Sequence, residues 1–333
     1  MCQYSALADG IPNDWHLVHY GSRAVGGSGL VMVESTAVGP QHRTTSADLG
    51  IWNEEQVTGH RRLTSFIRAN GAIPAAQLQC AGRKSSHMVP WKEEGQNSPV
   101  SLSDGGWTPL APSPVAFGNL TIPAGMRIEQ IDEVVAAFTD AAHLSHQAGY
   151  EIVEIHAGHG YLLHQFLSPL TNHRTDEYGG SLDNRMRLPR RVAAAVREAF
   201  PEDKPVFVRI TATDWIEGGI TIEEATRFAQ ELANTGIDLL DVTSGALVHN
   251  ASPPKRPGLN IKYSETLKEA SGLPVAPVGQ IKEQTQIDNA LNCASVDAVI
   301  IGRAFLRDPY FALRMNETSP RSAWPRQYHR ALQ

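Results

Sequence analysis

Seven short apolar runs, separated by segments of helical period, constrain this chain more than any other feature. The runs cover residues 29–34, 73–78, 150–155, 205–210, 237–242, 273–278 and 296–301. Continuous apolar runs of this length mark parallel strands buried on both faces. Between them, Ile131, Val134, Val135, Phe138 and Ala142 share one helical face, as do Leu188, Val192, Val196 and Phe200. Thr221 followed by Glu224 reads as a capping box that opens a helix carrying Ala225, Phe228 and Leu232. The alternation predicts an α/β fold, a parallel sheet covered by helices. With 333 residues and no linker, charge block or internal repeat, the expected form is a single (β/α)8 TIM barrel spanning 1–333. Such a barrel has eight strands, and a helical pattern over 15–25 precedes the first run. The first barrel strand is therefore expected to be missing, with the chain opening just after it. Residues 81–127 are rich in Pro, Gly and Ser and lack helical period, which predicts an excursion over the barrel mouth.

Composition narrows the function. A content of 41% hydrophobic and 19% charged residues supports a large core and excludes disorder. Twenty-nine Lys+Arg against 35 Asp+Glu, with no basic cluster, argue against a nucleic-acid partner. The aliphatic stretches are too short to span a bilayer, and MCQYSALADG lacks the character of a signal peptide. Cys2, Cys80 and Cys293 form neither a CxxC pair nor a disulfide framework. The expectation is a cytoplasmic enzyme without membrane or nucleic-acid partners.

Barrel active sites lie where strands end at their C-terminal side. After 150–155 comes HAGHGYLLHQF, with His156, His159, Tyr161 and His164. After 237–242 comes Thr243-Ser244-Gly245, after 273–278 comes Gly279, and after 296–301 comes Gly302-Arg303. A glycine behind a strand can be a plain turn. Glycines behind the last two strands, with Arg303 adjacent, also match the place where barrels hold phosphate. Arg209 and Gln77 stand inside apolar runs. A guanidinium there needs either a buried carboxylate such as Glu154 or a ligand that becomes negative. His156-x-x-His159 could begin a metal site, but no HExxH or paired-cysteine spacing supplies further ligands, so no metal is expected. The other reading is two imidazole donors aimed at one oxygen, with the Tyr161 hydroxyl as a nearby proton donor. In NHRTDEYGGSLDNR, Arg174, Asp176 and Arg185 are expected to brace the histidine loop.

At these residues the sequence resembles the Old Yellow Enzyme family of FMN-dependent oxidoreductases, and more closely its bacterial YqjM-like, thermophilic-like subgroup. The segments that carry the resemblance span the chain: MCQYS, AQLQCAGRK, EIHAGHGYLLHQFLSPLTNHRTDEYGGSLDNR, FVRITATD, DVTSGAL, VIIGRAFLRDP and WPRQYHRA. The resemblance implies FMN at the barrel mouth, reduced by NADPH or NADH. Hydride then passes to the β-carbon of an α,β-unsaturated carbonyl compound, in ping-pong order. Matched position by position, His156 and His159 would bind the substrate carbonyl, and Tyr161 would protonate the α-carbon. Cys2 would tune the flavin, Tyr4 would face the substrate, and Met1 would lie on the flavin-binding backbone. Gln77 would bond the pyrimidine edge, Arg209 would stand beside N1 and O2, and Gly279, Gly302 and Arg303 would cradle the phosphate. Arg330 would reach a neighbouring subunit from a tail at 316–333, which implies a homodimer or homotetramer. Two positions depart from the pattern: LQCAGRK replaces LAHAGRK, placing Cys80 at a histidine position, and Ser35 replaces a small residue, with a hydroxyl that could reach the flavin. Two alternatives stay open here: a flavin enzyme acting on another acceptor, such as a nitro compound or quinone, and a flavin-less barrel.

Overall fold

The computed structural model describes the chain except residues 8, 92–97, 293–294, 316–320, 322–323 and 333. Cys293, part of the 81–127 excursion and part of the 316–333 tail lie outside the described residues. The elements in chain order are α1 (Asp14–Val25), β1 (Leu30–Ala37), α2 (Glu54–Ala69), β2 (Ile73–Gln79), β3 (Leu110–Ala111), β4 (Ala124–Gly125), α3 (Ile128–Gln147), β5 (Ile152–Ala157) and α4 (Leu162–Leu167). There follow α5 (Leu182–Ala199), β6 (Val206–Thr211), α6 (Ile222–Ala233), β7 (Leu239–Thr243), α7 (Ile261–Ser271), β8 (Val275–Pro277), α8 (Gln284–Asn292), α9 (Arg303–Arg307) and α10 (Phe311–Met315). Strands β1, β2, β5, β6, β7 and β8 pair in that order, every pair parallel. Helices cross between them, as parallel pairing requires. Among the described residues, no helix is long and apolar enough to cross a membrane.

The helices start where their capping residues stand. Asn13 accepts from Trp15 N–H at 3.0 Å, and Asn53 accepts from Gln56 N–H at 3.0 Å. Thr221 likewise accepts from Glu224 N–H, opening α6. The expected capping box is only half formed, because the Glu224 carboxylate turns away to Arg185. The apolar faces read from the sequence are buried: Ile131, Val134, Phe138 and Ala142 on α3, and Leu188, Val192 and Val196 on α5. Each large side chain fully removed from water here contributes about 1.5–3 kcal/mol of transfer free energy.

The seventh run behaves differently from the other six. Residues 296–301 run beside β8, with Asp297 N–H on Val275 O and Ile300 N–H on Pro277 O, both at 3.0 Å. They form a single bridge, Val278 with Ile300, and no continuous strand. A strand is stabilised by ladders on both sides, and among the described residues nothing pairs on the far side of this run. The wall is correspondingly open between 296–301 and β1, and both segments line a cavity of about 1180 Å³ that reaches Gln77, Arg209 and Asp241.

Candidate active site

β5 delivers His156 to the C-terminal rim, and the chain then turns through Gly158–Tyr161 into α4. His159 takes φ +52 and Gly160 φ +71. For a histidine, this left-handed backbone costs about 1–3 kcal/mol and persists only where the surroundings fix it. They do so from five directions. Thr211 Oγ1 accepts His159 N–H at 3.1 Å, and Lys84 Nζ donates to His159 O at 2.8 Å. His159 Nε2 lies 2.8 Å from Thr243 Oγ1. His164 Nδ1 accepts Gly160 N–H at 2.8 Å, and Gln165 Nε2 donates to Gly160 O at 2.7 Å.

His164 is the inner brace. Because Nδ1 accepts a backbone N–H, the ring proton sits on Nε2, which lies 3.0 Å from Asp214 Oδ1, both side chains being wholly buried. Burial alone would raise the Asp214 carboxyl. His164, Ile220 N–H and Ser168 O–H outweigh it and hold the group below its usual range. We expect Asp214→Ala to cost at least about 1–3 kcal/mol, since it leaves the Ser168 O–H and Ile220 N–H buried without their acceptor. A denaturant titration reads this directly, and an unchanged midpoint would contradict the brace. The outer brace is Arg174, which donates to Pro112 O, Met126 O and Asp176. Arg185 reaches Leu167 O and Glu224.

His156 Nδ1 accepts Gly158 N–H at 3.2 Å, which leaves its proton on Nε2. That nitrogen lies 3.3 Å from His159 Nδ1. Burial pushes both imidazoles well below their usual range, followed by His159 and Arg209 at His156 and by Arg209 and Lys84 at His159, so both are neutral. The Thr243 hydroxyl can donate or accept, so His159 can carry its proton on either nitrogen. With the proton on Nδ1, the two rings present two N–H donors to one point. Tyr161 meets His156 edge-on, with centroids 4.9 Å apart. Burial, then the neighbouring Cys2 and Tyr4, raise the Tyr161 phenol well above its usual value, so it keeps its proton. Burial pushes the Cys2 thiol up to about 12, and Tyr4 is raised by the same cause. Tyr4 also has positive φ, +49.

A cavity of about 530 Å³ opens beside His159 and is lined by Arg209, Thr243, Asn260, Gly279 and Arg303. Arg209 spans both cavities. Its Nη1 lies 3.3 Å from Asp241 Oδ2, so its carboxylate partner is Asp241 and not the Glu154 considered from sequence. Its Nε is buried without a hydrogen-bond partner. Gly279 has φ +143, and a Cβ there would come within 3.2 Å of Asn260 Nδ2. A Cβ on Gly302 would come within 3.2 Å of Met1 Sδ. A guanidinium whose Nε has no acceptor among the described residues, a glycine pressed against an amide, and Arg303 fit an anionic cofactor with polar edges. Gln77 gives its Nε2 to Glu154 Oε1 at 2.6 Å. The Ser35 hydroxyl is engaged by Gln79 Oε1, which leaves Gln79 Nε2 as the unpartnered group there. Arg330 is exposed on the closing helical turns.

Sequence reasoning missed Lys84. Its ammonium bridges His159 O and Ala246 O and lies 5.6 Å from the Tyr161 ring centroid. Burial, then Arg83, lower it to about 7. Its only signal in the sequence is its place in AGRK. Thr243 was visible as the residue after a strand, but nothing in the sequence showed that it faces His159.

These features define a barrel oxidoreductase with a cofactor cleft at its C-terminal mouth, and comparison with known proteins agrees. Residues 1–321 match the model of the NADH:flavin oxidoreductase / NADH oxidase family. The chain is 40% identical to an NADPH dehydrogenase of Bacillus cytotoxicus, over 99% of this chain and 90% of that one. It is 42% identical to an NADPH dehydrogenase of Bacillus pumilus, over 99% and 93%. An old yellow enzyme homologue from Zymomonas mobilis superposes with a TM-score of 0.79 at 27% identity, over 95% of this chain and 86% of that one. The chain belongs to the NADH:flavin oxidoreductase family, the Old Yellow Enzymes, and is an FMN oxidoreductase with the α/β barrel fold of that family.

Proposed function

We propose that this chain is an ene-reductase, in which NADPH or NADH reduces FMN and the activated C=C bond of an α,β-unsaturated carbonyl compound is reduced in a second half-reaction. The observation that carries this reading is the pair of neutral imidazoles, 3.3 Å apart, beside a protonated tyrosine at the cofactor cleft. Bound FMN supplies the hydride chemistry. The chain's own residues do the rest. His156 and His159 donate to the substrate carbonyl oxygen and draw charge onto it. Tyr161 holds a proton for the α-carbon. Arg209, with its Nε free, and Gln77 would hold the cofactor's polar edge. Gly279, Gly302 and Arg303, with Met1 packed on Gly302, hold the phosphate side. Cys2, kept as a thiol, and Tyr4 wall the substrate side. Arg330, exposed on its own subunit, completes a neighbour's cleft in a homodimer or homotetramer.

His156→Ala removes one of two donors. We expect kcat for enone reduction to fall by about 10²–10³. We also expect the charge-transfer band of a bound phenol to be lost, because phenolate binding uses the same donors. A retained band would take His156 out of the oxygen-binding site.

A further inference from the structure

Beneath the cleft, behind Gln77 and Arg209, lies a pair of carboxyls that the proposed reaction does not use. Gln77, Glu154, Arg209 and Asp241 stand on four adjacent strands, β2, β5, β6 and β7. Register sets Gln77 directly across from Glu154, and Arg209 directly across from Asp241. Glu154 is 0% exposed and Asp241 1%. Two carboxyl groups thus face one guanidinium in the barrel interior. Gln77 Nε2 occupies Glu154 Oε1 at 2.6 Å, and Arg209 Nη1 faces Asp241 Oδ2 at 3.3 Å. The remaining oxygens, Glu154 Oε2 and Asp241 Oδ1, are both buried and have no donor. Glu154 and Asp241 flank Arg209 from the two neighbouring strands, and each carboxyl acts electrostatically on the other.

Two carboxylate oxygens in that position repel unless one of them carries a proton. Burial, then the Asp241 charge, raises the Glu154 carboxyl. Burial also raises Asp241, while Arg209 opposes both shifts. Among the described residues, Arg209 is the cation that acts on both carboxyls. His156, two residues along β5, is neutral, and Glu34 on β1 turns outward to His16 and Tyr20 of α1. β2 contributes Gln77 and β8 the apolar Ala276, opposite Asp241.

We infer that Glu154 and Asp241 share one proton behind Arg209, and that this pair takes up a proton from solvent when negative charge forms on the cleft side of Arg209. The inference rests on the proposed placement of FMN against that guanidinium. A hydride from the reduced nicotinamide brings two electrons and one proton to the flavin and leaves the nicotinamide oxidised. The negative charge so added is balanced by a second proton, from solvent, so that Glu154 and Asp241 are both protonated. Glu154 and Asp241 are then positioning residues that act through Arg209.

The test is the two-electron reduction potential of the FMN-loaded protein as a function of pH, compared with Glu154→Gln. Each proton taken up with two electrons contributes about 30 mV per pH unit. We expect a two-proton slope around neutrality in the native chain and a one-proton slope in Glu154→Gln over the same range. A one-proton slope throughout in the native chain, or a two-proton slope that survives the substitution, overturns the inference. A second measurement needs no flavin. The C=O stretch of a protonated carboxyl should be present in the infrared spectrum of the flavin-free protein at neutral pH. It should be lost in both Glu154→Gln and Asp241→Asn, so failure of one variant to fold leaves the other. A stretch that is absent from the native spectrum, or present in both variants, removes the shared proton. Failure to bind FMN would sink the functional reading and the flavin coupling together, while the infrared band still decides whether the proton is shared.

Discussion

Tyr161→Phe is expected to leave flavin reduction by NADPH at its native rate while turnover of weakly activated enones falls by about 10²–10⁴, the usual contribution of a positioned proton donor. The reasoning is local. The Tyr161 phenol stays protonated because the cleft buries it beside Cys2 and Tyr4. It stands edge-on to His156, so its proton lies next to the carbonyl position that the imidazoles define. Phenylalanine keeps the ring packing and removes only the O–H. Strongly activated acceptors, whose reduced form picks up a proton from water unaided, should lose less. Stopped-flow absorbance separates the two half-reactions. Loss of flavin reduction in this variant would show that Tyr161 supports the cofactor and does not donate the proton.

Arg209→Met is expected to weaken FMN binding roughly ten- to hundredfold, since a hydrogen bond from a charged donor contributes about 1.5–3 kcal/mol. It also leaves Asp241, buried and next to Glu154, without that cation. Breaking such a pair costs about 3–5 kcal/mol unless the freed carboxyl protonates. The flavin-free variant should therefore be less stable at high pH than at low pH, where Asp241 takes a proton. Quenching of FMN fluorescence gives the affinity, and denaturant titrations at two pH values give the stability. Unchanged affinity would mean that the guanidinium serves the barrel interior alone.

The sequence made the frame legible because the frame is built from periodicity. Six of the seven apolar runs became paired strands. The α3 and α5 faces were buried as their spacing predicts. The seventh run is not a strand because 296–301 meets a neighbour on one side only among the described residues, and its other flank is open. The cluster of His156, His159 and Tyr161 was readable because one turn carries all three. Partnerships that cross the barrel were not readable. The sequence places Arg209 in a strand but cannot choose Asp241 over Glu154, because that choice depends on register between β6 and β7. It names Lys84 without revealing that Lys84 clamps the carbonyl of a left-handed histidine 75 residues away. The half-formed capping box at Thr221 has the same origin, since Arg185 competes for Glu224 from another helix.

The most direct test of the account is the visible spectrum of the purified protein with added FMN, taken anaerobically through one cycle of reduction and reoxidation. The account predicts a bound-flavin spectrum that bleaches on addition of NADPH and returns on addition of 2-cyclohexenone. A protein that binds no flavin would contradict the assignment of Arg209, Gly279 and Arg303 to the cofactor. A flavin that bleaches with NADPH and stays bleached with 2-cyclohexenone would contradict the assignment of His156, His159 and Tyr161 to the reduction of enones.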